Sequence, residues 1–206
     1  MFTPRERDLE RGWPGRIDGD RVIQLAAQTL QAFFTGGGSA REHDVFELAD
    51  VVLRVPVLHP GAVRLFDEGG EFRFSNPACM FGPEEEVRLP RGADHVESQL
   101  RLAVVVGAGV VGGFTLMNDW LAPQLRGAKA SDFATSLGPV VVTPDEFDGG
   151  GEWNDLLDRA EENTRLYPGD VIAGPVIRRD GPHRVGDVVD VALDEIGVLR
   201  SYLAAP

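Results

Sequence analysis

The sequence predicts a β-rich α+β domain behind a small N-terminal α/β segment. Three observations carry that prediction. Beyond Pro60-Gly61 the apolar residues fall mostly in short runs of Val, Leu and Ile closed by glycine or proline, which is strand patterning. Clear helical spacing occurs in only two places. The first stretch of the chain is charged and turn-rich, and then mixed in character. These features divide the chain into a small segment, residues 1–58, and a main domain, residues 59–206. A length of 206 residues suits that organisation.

Each element follows in order. Trp13-Pro14-Gly15 and Asp18-Gly19-Asp20 are turn signals, the second also a possible helix cap. From Arg21 to Phe34 the apolar residues Val22, Leu25, Ala26, Leu30 and Phe33 have helical spacing, and Gly36-Gly37-Gly38 stops the helix. A short helical piece is expected from Ala40 to Asp44. Val51 to Val55 reads as a strand closed by Pro56. Leu102 to Val106 and Val110 to Met117 are strands, with Gly112-Gly113 marking a bulge or a close backbone approach. Val140 to Val142 is a further strand. Glu152 to Leu166 is the second helix, with Leu156, Leu157, Ala160 and Thr164 on one side, broken by Tyr167-Pro168-Gly169-Asp170. Val171-Ile172, Val185 to Leu193 and Val198-Leu199 are late strands, with turns at Gly181-Pro182 and Gly186-Asp187. No repeat period is visible.

Composition excludes several function classes. Lys plus Arg is 20 and Asp plus Glu is 33, a formal charge of −13. That balance opposes binding to nucleic acid, which needs clustered cations, and to anionic membrane surfaces. No apolar run approaches the roughly 20 residues of a membrane-spanning helix. The charged opening stretch has no secretory-signal pattern. One cysteine, Cys79, forms no internal disulfide and fits a reducing cytoplasm. The four histidines, His43, His59, His95 and His183, lack metal-ligand spacing. Of the cationic side chains 19 are arginine and one, Lys129, is lysine, a ratio that reads as codon bias.

Four segments in order resemble the fumarylacetoacetate hydrolase family. They are Leu102-Ala103-Val104-Val105-Val106-Gly107 with Gly113-Phe114-Thr115-Leu116-Met117-Asn118-Asp119-Trp120; Ala128 to Pro139 with Val142-Thr143-Pro144; Tyr167-Pro168-Gly169-Asp170-Val171-Ile172; and Val185 to Val191 with Ile196 to Arg200. The resemblance spans roughly Pro56 to Arg200. It implies a mixed β-roll that forms a homodimer. It also implies Mg²⁺ or Mn²⁺ held by carboxylates, and cleavage, decarboxylation or isomerisation of 1,3-dicarbonyl and related acids.

The departures from the family pattern concern that metal. Where the family has Glu-x-Glu before its Leu-Ala-Val-Val strand, this chain has Gln99-Leu100-Arg101. The family's Asp of Asn-Asp-x-Ser-Ala-Arg remains as Asp119, but its Ser and Arg do not. A further Asp ligand is replaced by Arg64-Leu65-Phe66. The His-bearing lid helix is missing, with Asp67-Glu68-Gly69-Gly70 leading directly to Phe72. Ala173-Gly174-Pro175 replaces a Thr-Gly-Thr loop. A guanidinium keeps its charge and repels a dication, so no metal and no cofactor are expected. Arg101 is expected to pair with Asp119 in the cation's place.

Asp119 and Arg101 are therefore candidate catalytic residues, and the resemblance adds Lys129, which matches a family active-site lysine that contacts substrate oxygen. Asp119 is otherwise a structural carboxylate and Lys129 a surface lysine. Lys129 is a candidate base if desolvated. Gln99, Glu97, Trp120, Asp132 and Thr135 are candidate substrate-binding residues. Asp132 and Thr135 also read as loop-stabilising groups, and Glu97 as a solvated edge residue. Cys79 reads as an inert thiol. Two further functions stay open, a noncatalytic dimer binding a ligand or protein, and a conventional Mg²⁺-dependent C–C hydrolase.

Overall fold

The computed structural model describes residues 1–206 apart from Asp8 and Glu10. In chain order the strands and helices are β1 (Phe2–Pro4), β2 (Gly15–Asp18), β3 (Arg21–Leu25), α1 (Leu30–Thr35), β4 (Glu42–Glu47), β5 (Val51–Leu53), β6 (Val63–Phe66), β7 (Phe72–Phe74), β8 (Met80–Phe81), β9 (Glu86–Arg88), β10 (Val96–Val106), β11 (Val111–Leu121), β12 (Thr135–Val142), α2 (Trp153–Glu161), β13 (Val171–His183), β14 (Val188–Leu193) and β15 (Gly197–Ala204). Short 3₁₀ turns occupy Leu48–Asp50 and Gly127–Ala130.

The predicted β-rich class is the one observed. A seven-stranded mixed sheet runs β7-β6-β13-β10-β11-β12-β8 and curls into a half-barrel. Its centre is the antiparallel pair β10 and β11, 11 residues each and almost wholly buried. Alternation divides β10 between two cores. Leu100, Leu102, Val104 and Val106 join Phe114, Ile172, Trp153 and Leu157. Ala103 and Val105 face Val63, Leu65, Met117 and Leu137. On that second face the strand continues backwards through Arg101, Gln99 and Glu97. These polar residues hide the alternation, which is why β10 begins at Val96 and not at Leu102 as expected.

The N-terminal part differs from expectation. The stretch predicted as a helix from Arg21 to Phe34 is a strand followed by a short helix. Gly19-Asp20, with Gly19 at φ 62, turns β2 into β3 with Asp18 opposite Arg21. Gly-Asp as the two central residues, glycine first, is a hairpin signal, and Val22 packs with Phe2 and Val51 on the inner face. The helix starts only at Thr29, whose hydroxyl accepts the Ala32 amide at 3.0 Å. Ala40 to Asp44 is not helical: Glu42–Glu47 is β4, paired with β3 through Phe46 and Val22. Leu30 and Phe34 of α1 pack into the core on the second face of the main sheet.

Two later expectations also change. Gly181-Pro182 is no turn but lies inside β13. Beyond Ala173 that strand pairs only with β10, so a proline lacking an N–H is tolerated on its open side. Helix α2 stops at Glu161, short of Leu166, where Asn163 takes a left-handed φ of 59. The bulge expected at Gly112-Gly113 is present as a register shift between Val105 and Val106. A Cβ on Gly113 would lie 2.5 Å from Val141 Cγ1 and 2.8 Å from the Val142 carbonyl oxygen. Gly113→Ala is therefore expected to destabilise the fold by about 1–3 kcal/mol in urea unfolding.

Candidate functional site

Three adjacent strands set the floor of the site. The register puts Gln99 of β10 beside Asp119 of β11, and Asp119 beside Thr135 of β12. On its other side Gln99 faces Arg179 of β13. Arg101, two residues along β10, points to the same face. Asp119 has 0% of its surface exposed, and a buried carboxylate requires compensation. Arg73 supplies most of it: its Nη2 donates to both carboxylate oxygens, at 2.7 and 2.9 Å. Arg101 Nε lies 3.4 Å from Asp119 Oδ2. The ion pair expected between Arg101 and Asp119 thus forms, but it is the secondary contact, with Nε left without a hydrogen-bond partner.

Arg101 is itself buried and is fixed by the backbone. Its Nη1 donates to the carbonyls of Phe66 and Gly174, both at 2.8 Å. Burial pulls its pKa below the ordinary arginine range; Asp119 opposes this, while the charges of Arg73 and Arg179 add to it. Arg73 comes from a hairpin, Leu65 opposite Arg73 and Arg64 opposite Phe74. Phe72 and Phe74 lie on the hairpin's other face, over the buried Arg64 guanidinium at 5.8 and 5.4 Å. Alternation then leaves Arg73 directed at Asp119.

Thr135, buried, shares a hydrogen bond of 3.0 Å with Ser75. Beside it is a recess of about 280 Å³ whose walls include Arg73, Ser75, Asn76, Ala128 and Asp132. Asn76 ties its sides together by donating to the Asp132 carbonyl at 3.0 Å and to Cys79 Sγ at 3.2 Å. Lys129 stands at the rim and donates to Asp132 Oδ2 at 2.8 Å. Its side chain is 80% exposed, and the bond to Asp132 raises its pKa. The desolvated lysine base considered from sequence is therefore not what forms; Lys129 is a solvated cation. A larger, mainly apolar hollow of about 570 Å³ lies elsewhere, between the N-terminal sheet, α1 and β12.

The structure thus gathers Arg101, Asp119, Gln99 and Thr135 on one face, linked through Arg73 and Ser75 to the recess that Asp132 lines and Lys129 flanks. It does not bring Trp120 there. Trp120 follows Asp119 in the strand, so it points to the opposite face. It is fully buried with Val87, Leu89, Val96 and Ala134, and its Nε1 donates to Ser136 at 3.0 Å. Glu97 stands half-buried at the end of the sheet, where its Cγ packs near Gly181. No ion pair joins it to the cluster among the described residues. Arg73 and Arg179 were not among the candidates from sequence. The period-2 pattern Phe72-Arg73-Phe74 was the available signal for Arg73.

The sheet order, the site's position on it and the full-length match decide the fold. The chain has the fumarylacetoacetate hydrolase fold. It superposes on maleylpyruvate hydrolase from Sphingobium sp. SYK-6 with a TM-score of 0.79, covering 100% of both chains at 20% identity. It superposes on 5-carboxymethyl-2-hydroxymuconate delta-isomerase from Mycobacterium smegmatis with a TM-score of 0.74, covering 94% of each at 23% identity. By sequence it is 24% identical over 173 residues to an uncharacterized protein of Pyrococcus abyssi, covering 63% of this chain and 77% of that protein. No family model matches the sequence.

The arrangement makes Asp119 and its cations unequal in energetic weight. Removing Asp119 leaves Arg101 buried without its counter-charge, whereas Arg73 is half-exposed and can return to water. Asp119→Ala is expected to cost about 3–5 kcal/mol of stability. Arg73→Ala is expected to cost less than half of that, with chemical denaturation as the measurement.

Proposed function

We propose that the chain is an enzyme that acts without a metal ion on a small enolisable carbonyl acid, a 1,3-dicarbonyl or 2-oxo acid. The reaction class is isomerisation, cyclisation or decarboxylation. The observation that carries this reading is the pair of guanidinium groups, Arg73 and Arg101, on the buried Asp119. A hard divalent cation takes six or more oxygen ligands. Here Asp119 has both oxygens engaged by Arg73, its neighbour Gln99 is a neutral amide, and Arg101 brings a positive charge to the same face. No group of three or more His, Cys, Asp or Glu that could hold a metal exists among the described residues. The residues present do not fit Mg²⁺ or Mn²⁺.

They do fit an enolate. Removing a proton next to a carbonyl places negative charge on oxygen, and fixed donors in a water-poor site stabilise it. Arg101 is held in place by two carbonyls, with its buried Nε 3.4 Å from Asp119 Oδ2. A substrate oxygen on the half-exposed Arg73 displaces the Arg73–Asp119 contact and frees the carboxylate to accept the proton, with Arg101 supplying a fixed charge behind it. Lys129, paired with Asp132, has two further N–H donors to offer the substrate's carboxylate, and Gln99 and Thr135 supply neutral hydrogen bonds. The two structural neighbours are named for hydrolysis of maleylpyruvate and isomerisation of 5-carboxymethyl-2-hydroxymuconate. That likeness supports small carbonyl acids as the substrate class.

The test is exchange of carbon-bound protons in D₂O, followed by NMR with a panel of 2-oxo and 1,3-dicarbonyl acids and excess chelator. Wild-type protein is expected to accelerate exchange for at least one acid. Lys129→Ala, an exposed change that leaves the fold intact, is expected to slow it at least about tenfold. Exchange that appears only after Mn²⁺ is added contradicts the proposal.

A further inference from the structure

We infer that the Asp119 face binds a compact dianion, a phosphoryl group or two closely spaced carboxylates, in preference to a single carboxylate. The inference rests on the reading that the recess beside Asp119 is the substrate site, and it names the charge class which that site selects.

The first ground is the balance of charge. Arg73, Arg101 and Arg179 converge on one face from β7, β10 and β13, and among the described residues Asp119 is the one carboxylate in contact with them. Asp119 neutralises one of the three, which leaves a local excess of two positive charges. Lys129 and Asp132 across the recess neutralise each other. Glu97 shares the face but makes no ion pair with any of the arginines among the described residues. The molecule as a whole is at −13, so this excess is local and runs against the overall charge.

The second ground is unused hydrogen-bonding capacity. A guanidinium has five N–H donors. Arg73 directs only Nη2 at Asp119. Arg101, with 7% of its side chain exposed, turns its buried Nε to Asp119 at 3.4 Å and so contributes charge rather than a free donor. Arg179 is exposed opposite Gln99 and has no ion-pair partner among the described residues. A lone carboxylate offers two oxygens and one charge, which leaves one guanidinium uncompensated. A phosphoryl group, or a dicarboxylate with its carboxyl groups one carbon apart, offers three or four oxygens and two charges. Planar guanidinium donors match both geometries.

Calorimetric titration of the full chain with inorganic phosphate, malonate and acetate tests this. Arg73→Gln and Arg179→Gln are run in parallel; both positions are partly or wholly exposed, and a cooperative thermal transition well above the titration temperature verifies folding. Phosphate or malonate is expected to bind at least about tenfold tighter than acetate, and each variant to weaken the dianion about tenfold and erase the preference. Phosphate above malonate assigns the phosphoryl source; the reverse assigns the dicarboxylate. Acetate binding as tightly as both dianions, or an Arg179→Gln protein that keeps the preference, overturns the inference while leaving the recess as the substrate site. Absence of binding by all three anions overturns the inference and the site reading together.

Discussion

The carboxylate of Asp119 is cut off from water, and the geometry around it answers that single constraint. Burying an ionised carboxylate costs several kcal/mol unless opposite charge and hydrogen bonds replace its hydration. Arg73 and Arg101 provide both. Each brings another part of the sheet with it. Arg101 ties β10 to the ends of β6 and β13 through the Phe66 and Gly174 carbonyls. Arg73 holds the β6–β7 hairpin over the site, with Phe72 and Phe74 covering Arg64 on the outer face. The edge of the half-barrel is thus closed on the site by ionic contact on one face and aromatic packing on the other.

The fold is shared with proteins named as hydrolases and isomerases, but a fold does not fix a chemistry. On the proposed reading, the change from metal ion to guanidinium has a chemical direction. A bound dication can lower the pKa of a coordinated water and so generate a nucleophile. A guanidinium cannot do that. It can orient a carboxylate and stabilise an enolate oxygen. Isomerisation, cyclisation and decarboxylation draw on those abilities, whereas hydrolysis draws on the activated water.

Part of this arrangement was legible in the sequence. The strand and turn patterning beyond Pro60 identified the β-rich class, and the family resemblance, by setting Gln99-Leu100-Arg101 where Glu-x-Glu stands, implied a cation beside the Asp119 carboxylate. Arg73 was not legible by proximity, because it meets Asp119 across 46 residues of chain through a hairpin closing onto a distant strand. The extended β10 was hidden because its site-facing residues are polar. In the N-terminal segment, apolar spacing fitted a helix by coincidence across a hairpin strand and a loop, and the Gly19-Asp20 turn was the stronger signal. Lys129 lies at the rim of the recess, yet its burial could not be read from sequence, and with it the direction of its pKa. Trp120 shows the same limit: adjacency to Asp119 in sequence means opposite faces in a strand.

The central claim is that guanidinium groups stand where a divalent cation would need oxygen ligands. Electron paramagnetic resonance titration of Mn²⁺ measures it most directly, comparing the wild type with a Gln99→Glu/Arg101→Glu double variant. The account predicts that the wild type leaves the free Mn²⁺ signal undiminished and that the double variant depletes it. Depletion by the wild type that disappears in Asp119→Asn would contradict the account.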